Sequence, residues 1–402
     1  MYEFKFYKGL NQMLKNNKYI TNLSYGVTAF LFVFSYSLCF AVSLQLNIWY
    51  ALVTAITSLI ISISLKSQVL APDTFLTVPL LLVLSSGTNA LLPFSVIGGG
   101  LIYAMLNKKF KSYKIDPAIK GALYLSLAFS VTALLTTHYF GIGAKGFTVI
   151  EILKNYRSLG FHPNWRGVFF GTITLFSMIT YPFKFKKANK YLPAECFSLI
   201  LPLALNLFLN PEERYTPIDE LSNIFNFLNQ DSLSFFLPSF NTDFDFSMQS
   251  YVNAFKSALS VGALLLLFNS KNNRNDSTGT ASILNGIQGG FPLRNYEIRG
   301  YSLISAIIAI MLVIYSSFFL DEILMRIPLH SAAVVLIVNG WKQVDFKAIA
   351  LSFKKSIINI IPIGSIFVIS VIYDIFTALI VAIILNAIIS VFSKTKGGAN
   401  NG

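Results

Sequence analysis

The run Gly289-Gly290-Phe291-Pro292-Leu293-Arg294-Asn295-Tyr296-Glu297-Ile298-Arg299-Gly300 interrupts a half-chain otherwise built of long apolar stretches. Its two glycines and its proline stop a helix, because glycine frees the backbone and proline lacks the N–H that a helix interior uses. A shorter interruption, Ala71-Pro72-Asp73-Thr74, holds the corresponding place in the first half, ahead of the apolar piece Phe75 to Leu84. That piece is too short to cross a bilayer, which takes about 20 helical residues. Paired interruptions at corresponding places in two halves predict an inverted repeat with a binding site at the midplane, since irregular backbone at that depth is tolerated only around protein or a cavity. A helix that begins there presents unsatisfied N–H groups and the positive end of its dipole, which suits an anion. The plainer alternative is that Pro72 and Pro292 kink two continuous helices.

The composition fits a membrane chain. Of 402 residues, 54% are hydrophobic and 12% charged, and the mean hydropathy is +0.62. Twelve to fourteen spans consume roughly 240 to 280 positions and leave no room for a large soluble domain. The net charge of +13 reflects orientation in a polytopic chain rather than nucleic acid as a partner. Cys39 and Cys196 lie in separate apolar runs, and His138, His162 and His330 are scattered. No disulfide framework, metal site or cofactor is suggested, and no nucleophile and base come together as in an enzyme.

The chain divides into a lead-in (1–24), a first repeat (25–210), an acidic insert (211–248), a second repeat (249–393) and a short tail (394–402). Apolar runs mark spans at Tyr25 to Leu44, Trp49 to Leu65, Leu91 to Leu106, Pro117 to Thr137, Val168 to Phe183 and Leu192 to Leu209. In the second half they fall at Tyr251 to Phe268, Ala281 to Gln288, Ser302 to Leu320, Ile327 to Val338, Ile357 to Ile372 and Phe376 to Phe392. Fourteen membrane segments starting from a cytoplasmic N-terminus, one more than the runs named, put Lys108 to Lys114, Lys184 to Lys190, Lys271 to Arg274 and Lys394 to Lys396 inside, as the positive-inside rule requires. Both termini are then cytoplasmic and the insert, with seven acids against Arg214, lies outside. Lys145, Lys154, Arg157 and Arg166 land outside against the trend. The expectation is an all-α multi-pass protein of a cell membrane, built as seven plus seven segments with short third and tenth helices.

Arg299 is the leading candidate for an anion contact, because an arginine beside an embedded break is costly unless it faces a cavity, water or a partner. Snorkelling to an interface is the alternative. Asp73 suits an N-cap; the sharper reading sets it near Arg299, competing with substrate so that its protonation opens the site. Glu297 is a second coupling candidate, or else a solvated loop acid. Lys256 is a third, or else a side chain snorkelling to the outer interface.

The sequence resembles the sulfate permease (SulP) family of anion transporters. The resemblance is carried by Gly279 to Pro292 with Arg299 seven beyond the proline, by Ile327-Pro328 to Trp341, by Ile115-Asp116-Pro117-Ala118-Ile119-Lys120-Gly121 and by the Pro72 break. It implies segments 1 to 4 and 8 to 11 as a core moving past a gate of segments 5 to 7 and 12 to 14 in alternating access, and a homodimer joined through the gate. It also implies that Thr74, Phe75 and Ile298 line the pocket with Asp73 and Arg299. The family often adds a cytoplasmic STAS domain, whereas only Ser393 to Gly402 follow the last span here.

Two features depart from the family. The coupling carboxylate of the eighth helix would fall near Ser260 to Gly262, where nothing is acidic, so sodium coupling is not expected. The first helix lacks its usual proline and has Ser35 and Tyr36 there. Tyr36 and Gly262 complete the candidate site. The leading expectation is a secondary transporter of a small inorganic anion such as sulfate, bicarbonate or chloride, with a proton as the candidate coupling ion. A passive anion channel, a non-transporting scaffold and a nucleobase transporter of the same broad fold stand as alternatives.

Overall fold

Helices α1 (Lys18–Ser43) and α2 (Ile48–Ser62) lead to the first interruption, where the chain turns into an extended strand, β1 (Gln68–Pro72). Strand β2 (Leu293–Glu297) occupies the second interruption and pairs with β1 antiparallel. The structure, a computed structural model, describes residues 18–44, 46, 48–63, 68–85, 91–110, 115–142, 148–209, 248–268, 278–297, 301–324, 326–355 and 360–398. The acidic insert up to residue 247 and positions 298–300 lie outside them.

After β1 come α3 (Thr74–Ser85), α4 (Leu92–Phe110), α5 (Pro117–Phe140), α6 (Val149–Leu159), α7 (Trp165–Lys184), a 3-10 turn (Ala188–Lys190) and α8 (Ala194–Leu209). The second half runs α9 (Met248–Phe268), α10 (Thr278–Ile287), β2, α11 (Leu303–Phe319), α12 (Asp321–Leu324), α13 (Leu329–Lys342), α14 (Phe346–Lys355), α15 (Ile360–Ile372) and α16 (Ile375–Gly398). Tyr19–Ser43, Pro117–Phe140 and Met248–Leu267 are long and apolar enough to cross a membrane, and several shorter helices are apolar throughout. The first helix of each half packs on the third and fourth units of the other: α1 on α11 and α13, and α9 on α3 and α4.

The sequence expectations need refining in three places. The bundle is helical as expected, with one addition: two extended stretches inside it satisfy each other's backbone groups as a two-stranded sheet. Serine and threonine side chains meet some of what the pairing leaves over: Leu70 N–H donates to Ser62 Oγ (2.9 Å), Leu293 N–H to Ser282 Oγ (3.2 Å) and Phe291 N–H to Thr54 Oγ1 (3.1 Å). The stretch carrying Lys154 and Arg157 is the amphipathic helix α6, with Val149 and Ile152 buried, and not a plain connecting loop. The terminal helices outrun their predicted ends, α1 starting at Lys18 and α16 reaching Gly398.

The local chemistry of the breaks explains their shape. Helix α10 ends as the Gly289 N–H returns to the Gly286 carbonyl (3.0 Å) and the Gly290 N–H to that of Asn285 (2.7 Å). Gly289 takes φ +85, a left-handed value that glycine adopts freely. A Cβ on Gly290 would lie 2.1 Å from Asn285 Oδ1, so only glycine fits there; the Asn285 amide in turn donates to the Phe291 carbonyl. Small residues also set the helix packing. A Cβ on Gly99 of α4 would meet Val261 of α9 at 2.5 Å, and one on Gly262 would meet Ile102 at 2.7 Å, a close crossing of the kind that apolar surroundings favour.

Candidate functional site

Side chains alternate across a strand, so Arg294 and Tyr296 emerge together on one face of β2. Across from them on β1 are Ala71 and Val69. Leu70 and Leu293 turn to the opposite face and pack with Ala281 of α10. Ala71 contributes only a methyl group, which leaves the larger Arg294 side chain its space.

Pro72 ends β1, and Asp73 caps the start of α3. Its Oδ1 accepts the Phe75 N–H (2.9 Å) and, at longer range, the Leu76 N–H (3.4 Å), satisfying helix donors otherwise left open. The other carboxylate oxygen reaches across the sheet: Oδ2 accepts from Arg294 Nη1 and from Tyr296 Oη, each at 3.0 Å. Arg294 Nη1 also donates to Gln343 Oε1 (2.7 Å), at the C-terminal cap of α13. Asp73 has no exposed surface, whereas the Arg294 side chain is 26% exposed. The Arg294 side chain is therefore the member of the pair with surface open to solvent.

Aromatic rings surround this cluster. Tyr296 has Phe32 at 5.1 Å and Tyr36 at 6.1 Å between centroids, and Phe75 meets Tyr124 of α5 at 5.5 Å. Tyr124 is near enough to Arg294 to interact with it electrostatically, and Lys120 Nζ sits 5.6 Å from the centre of its ring. A cavity of about 290 Å³ opens against Tyr296, lined also by Thr28 and Phe32 of α1, Asn189 and Lys190 of the 3-10 turn, Pro193, and Glu195 of α8. Among the described residues, the buried hydroxyls without a hydrogen-bond partner include Thr74 Oγ1, on the first residue of α3, and Tyr301 Oη, two residues before α11. Such groups are usually paired, so they are available to a polar ligand.

The residues predicted from sequence are distributed unevenly. Asp73, Thr74, Phe75 and Tyr36 gather at the junction of α1, α3 and β2. Arg299 and Ile298 fall outside the described residues, and Glu297 closes β2 opposite Gln68. Lys256 lies elsewhere, paired with Asp374 between α15 and α16 at 3.7 Å. Gly262 is wedged against α4, and the neighbouring Ser260 hydroxyl is spent on the Lys256 carbonyl (2.8 Å). Among the described residues the arginine that meets Asp73 is Arg294. Sequence reasoning missed Arg294, Tyr296, Gln343 and Glu195. The spacing of Arg294 and Tyr296, two apart behind a proline, was the available signal for a strand presenting both on one face; Gln343 and Glu195 come from distant segments with no local mark. No group of three or more metal-ligating side chains occurs among the described residues.

No protein-family model matches the sequence, and no curated protein matches it significantly. Solved structures do share its fold. The transmembrane domain of a cyanobacterium bicarbonate transporter, BicA, superposes with a TM-score of 0.62 at 14% identity, over 91% of this chain and 98% of that one. The overall structure of SLC26A9 gives 0.66 at 14% identity, over 94% of this chain and 66% of that one. The murine solute carrier 26 family member A9 anion transporter in its inward-facing state gives 0.62 at 11% identity, over 93% and 68%. The chain thus has the membrane fold of the SulP and SLC26 anion transporters.

Proposed function

We propose that this chain is a secondary transporter of a small inorganic anion of the sulfate, bicarbonate or chloride class, working by alternating access in a cell membrane. The observation that carries the reading is the Asp73–Arg294 pair at the start of α3, a cation held beside helix N–H groups and itself partly open to solvent. The fold it shares with a bicarbonate transporter and an anion transporter supports the same class.

The two halves are taken as inverted repeats, each running helix, helix, strand, helix. The reciprocal packing of α1 on α11 and α13 and of α9 on α3 and α4 supports this. Helix α3 spans about 18 Å and α11 about 26 Å, so α3 is the shorter of the two membrane-embedded starts. The anion is placed between those starts, held by Arg294, with Arg299 as a second cation ahead of α11. Thr74 and Tyr301 offer hydroxyls to it. The cavity beside Lys190 lies on the side that the lysine pattern makes cytoplasmic, and serves as the inner entrance.

Without substrate, Asp73 is the counterion of Arg294. A guanidinium largely withdrawn from water pairs poorly with a carboxylate and an anion together, because the surplus negative charge would be poorly solvated. Protonation of Asp73 frees Arg294 for the anion while the Oδ1 cap on α3 remains, so anion and proton travel together. The test is uptake of radiolabelled sulfate, bicarbonate and chloride into proteoliposomes, with the parent beside Arg294→Gln, Arg299→Ala and Asp73→Asn. Saturable, trans-stimulated uptake that is lost in Arg294→Gln and altered in pH dependence in Asp73→Asn supports the reading. Linear conductance, or no flux for any anion, refutes it.

A further inference from the structure

Asp73 is fully buried, and its partners among the described residues differ in what they can deliver. The Phe75 and Leu76 amides keep their protons, and arginine stays charged in proteins. Tyr296 remains. Its hydroxyl donates to Asp73 Oδ2 at 3.0 Å, and a phenol can release one proton while accepting another on the same oxygen. The tyrosine also lines the cavity beside Lys190.

On the far wall of that cavity stands Glu195, the one carboxylate among its lining residues. It lies half-buried in the first turn of α8, a place where an acid ordinarily serves the helix dipole. Glu195 interacts electrostatically with Tyr296 and Tyr36. Lys190 shares its cavity, and Cys39 and Cys196 lie near it as well. Among the described residues, the charged and titratable groups facing Asp73 are Arg294, Tyr296, Tyr36 and Tyr124.

We propose that Glu195 is the inner proton port of the transporter, passing a proton through Tyr296 to Asp73 while the cavity beside Lys190 is open. The proposal rests on the anion-transporter reading above. Protonated Glu195 gives its proton to Tyr296 Oη, directly or across one water, as the Tyr296 hydroxyl proton moves to Asp73 Oδ2. Glutamate is left ionised, tyrosine is unchanged, and aspartate becomes neutral; the reverse sequence releases the proton. Because Glu195 belongs to α8 and Tyr296 to β2, moving these elements apart breaks the path and confines proton exchange to the present arrangement.

The test uses the full chain in proteoliposomes and the anion identified by the uptake panel. Uptake driven by a pH gradient is compared with anion exchange at equal pH in the same vesicles. In Glu195→Gln the ratio of gradient-driven uptake to exchange should fall by about tenfold or more, with a flat response to pH on the Lys190 side; Glu195→Asp should restore most of both. Tyr296→Phe, which keeps the ring, should flatten the same profile and covers the case in which Glu195→Gln does not fold. A Glu195→Gln protein that keeps its pH-gradient drive and its profile overturns the proposal. So does a parent that exchanges anions without responding to a pH gradient, an outcome that leaves the anion-transporter reading standing. A parent with no anion flux overturns both.

Discussion

Replacing Asp73 by asparagine removes a charge while leaving most of the shape. Asparagine is as good an N-cap as aspartate, so the bonds from the Phe75 and Leu76 amides to Oδ1 survive. The Oδ2 side changes sign, because an amide NH₂ would face Arg294 Nη1, which can only donate, while Tyr296 Oη can turn to accept from it. Gln343 still holds Nη1 at 2.7 Å, so Arg294 keeps its place and loses its counterion. Breaking a buried pair by removing one partner costs about 3–5 kcal/mol. The Asp73 side of the pair has no exposed surface over which solvent could screen that loss. A small anion that fills the gap returns stability by mass action, about 2.7 kcal/mol at a hundredfold excess over its Kd. Thermal unfolding in detergent, first in gluconate and then with a graded series of small anions, should show Asp73→Asn several degrees less stable than the parent in gluconate. Its anion-induced rise should be the larger of the two. The reasoning is refuted if Asp73→Asn matches the parent in gluconate, or if its rise is no greater.

Three further outcomes follow from the geometry. Gly290→Ala should lose about 1–3 kcal/mol, read as a lower Tm, because its Cβ would stand 2.1 Å from Asn285 Oδ1 and push that amide off the Phe291 carbonyl. Lys256→Gln should change stability by less than about 1 kcal/mol, since its bond to Asp374 is long and partly open to solvent; apparent anion affinity measured by uptake should match the parent's, because the pair takes no part in the Asp73–Arg294 cluster. Gly167→Ala should be strongly destabilising alone, its Cβ falling 1.9 Å from His330 Nε2. In a His330→Ala background the same change should cost under about 0.5 kcal/mol, a coupling that a double-mutant cycle in thermal unfolding reads directly.

The spans were legible because apolar length is the strongest signal a membrane chain carries. The same pattern located both interruptions, since Pro72 and Gly289-Gly290 cannot continue a helix. What the interruptions become was harder to see. Five residues such as Gln68–Pro72 carry no strand signal of their own, and they form one because Leu293–Glu297, more than two hundred positions away, supplies the matching backbone groups. Arg294 stays hidden for the same reason: Arg299 stands out by its distance from Pro292, whereas the alternation that puts Arg294 and Tyr296 on one face appears only once the stretch is known to be extended. Asp73 was recognised as a cap and as a possible counterion, and its carboxylate is used both ways, one oxygen for each. Glu195 sat unremarked just past the lysine-rich connection; its interest arises from a cavity to which α1, α8 and β2 each contribute. The amphipathic helix α6 was hidden because its basic residues were weighed only for their sidedness.

The most direct test of the anion site is to look for the ion. Crystals or single-particle samples of the parent and of Asp73→Asn are prepared with bromide and with selenate, electron-dense stand-ins for chloride and sulfate, after calorimetry has established which of them binds. The expected result is a density or anomalous peak within hydrogen-bonding distance of Arg294 at the start of α3, stronger in Asp73→Asn than in the parent. A protein that binds the ion in solution, yet shows the peak elsewhere with Asp73 and Arg294 still joined, contradicts the account.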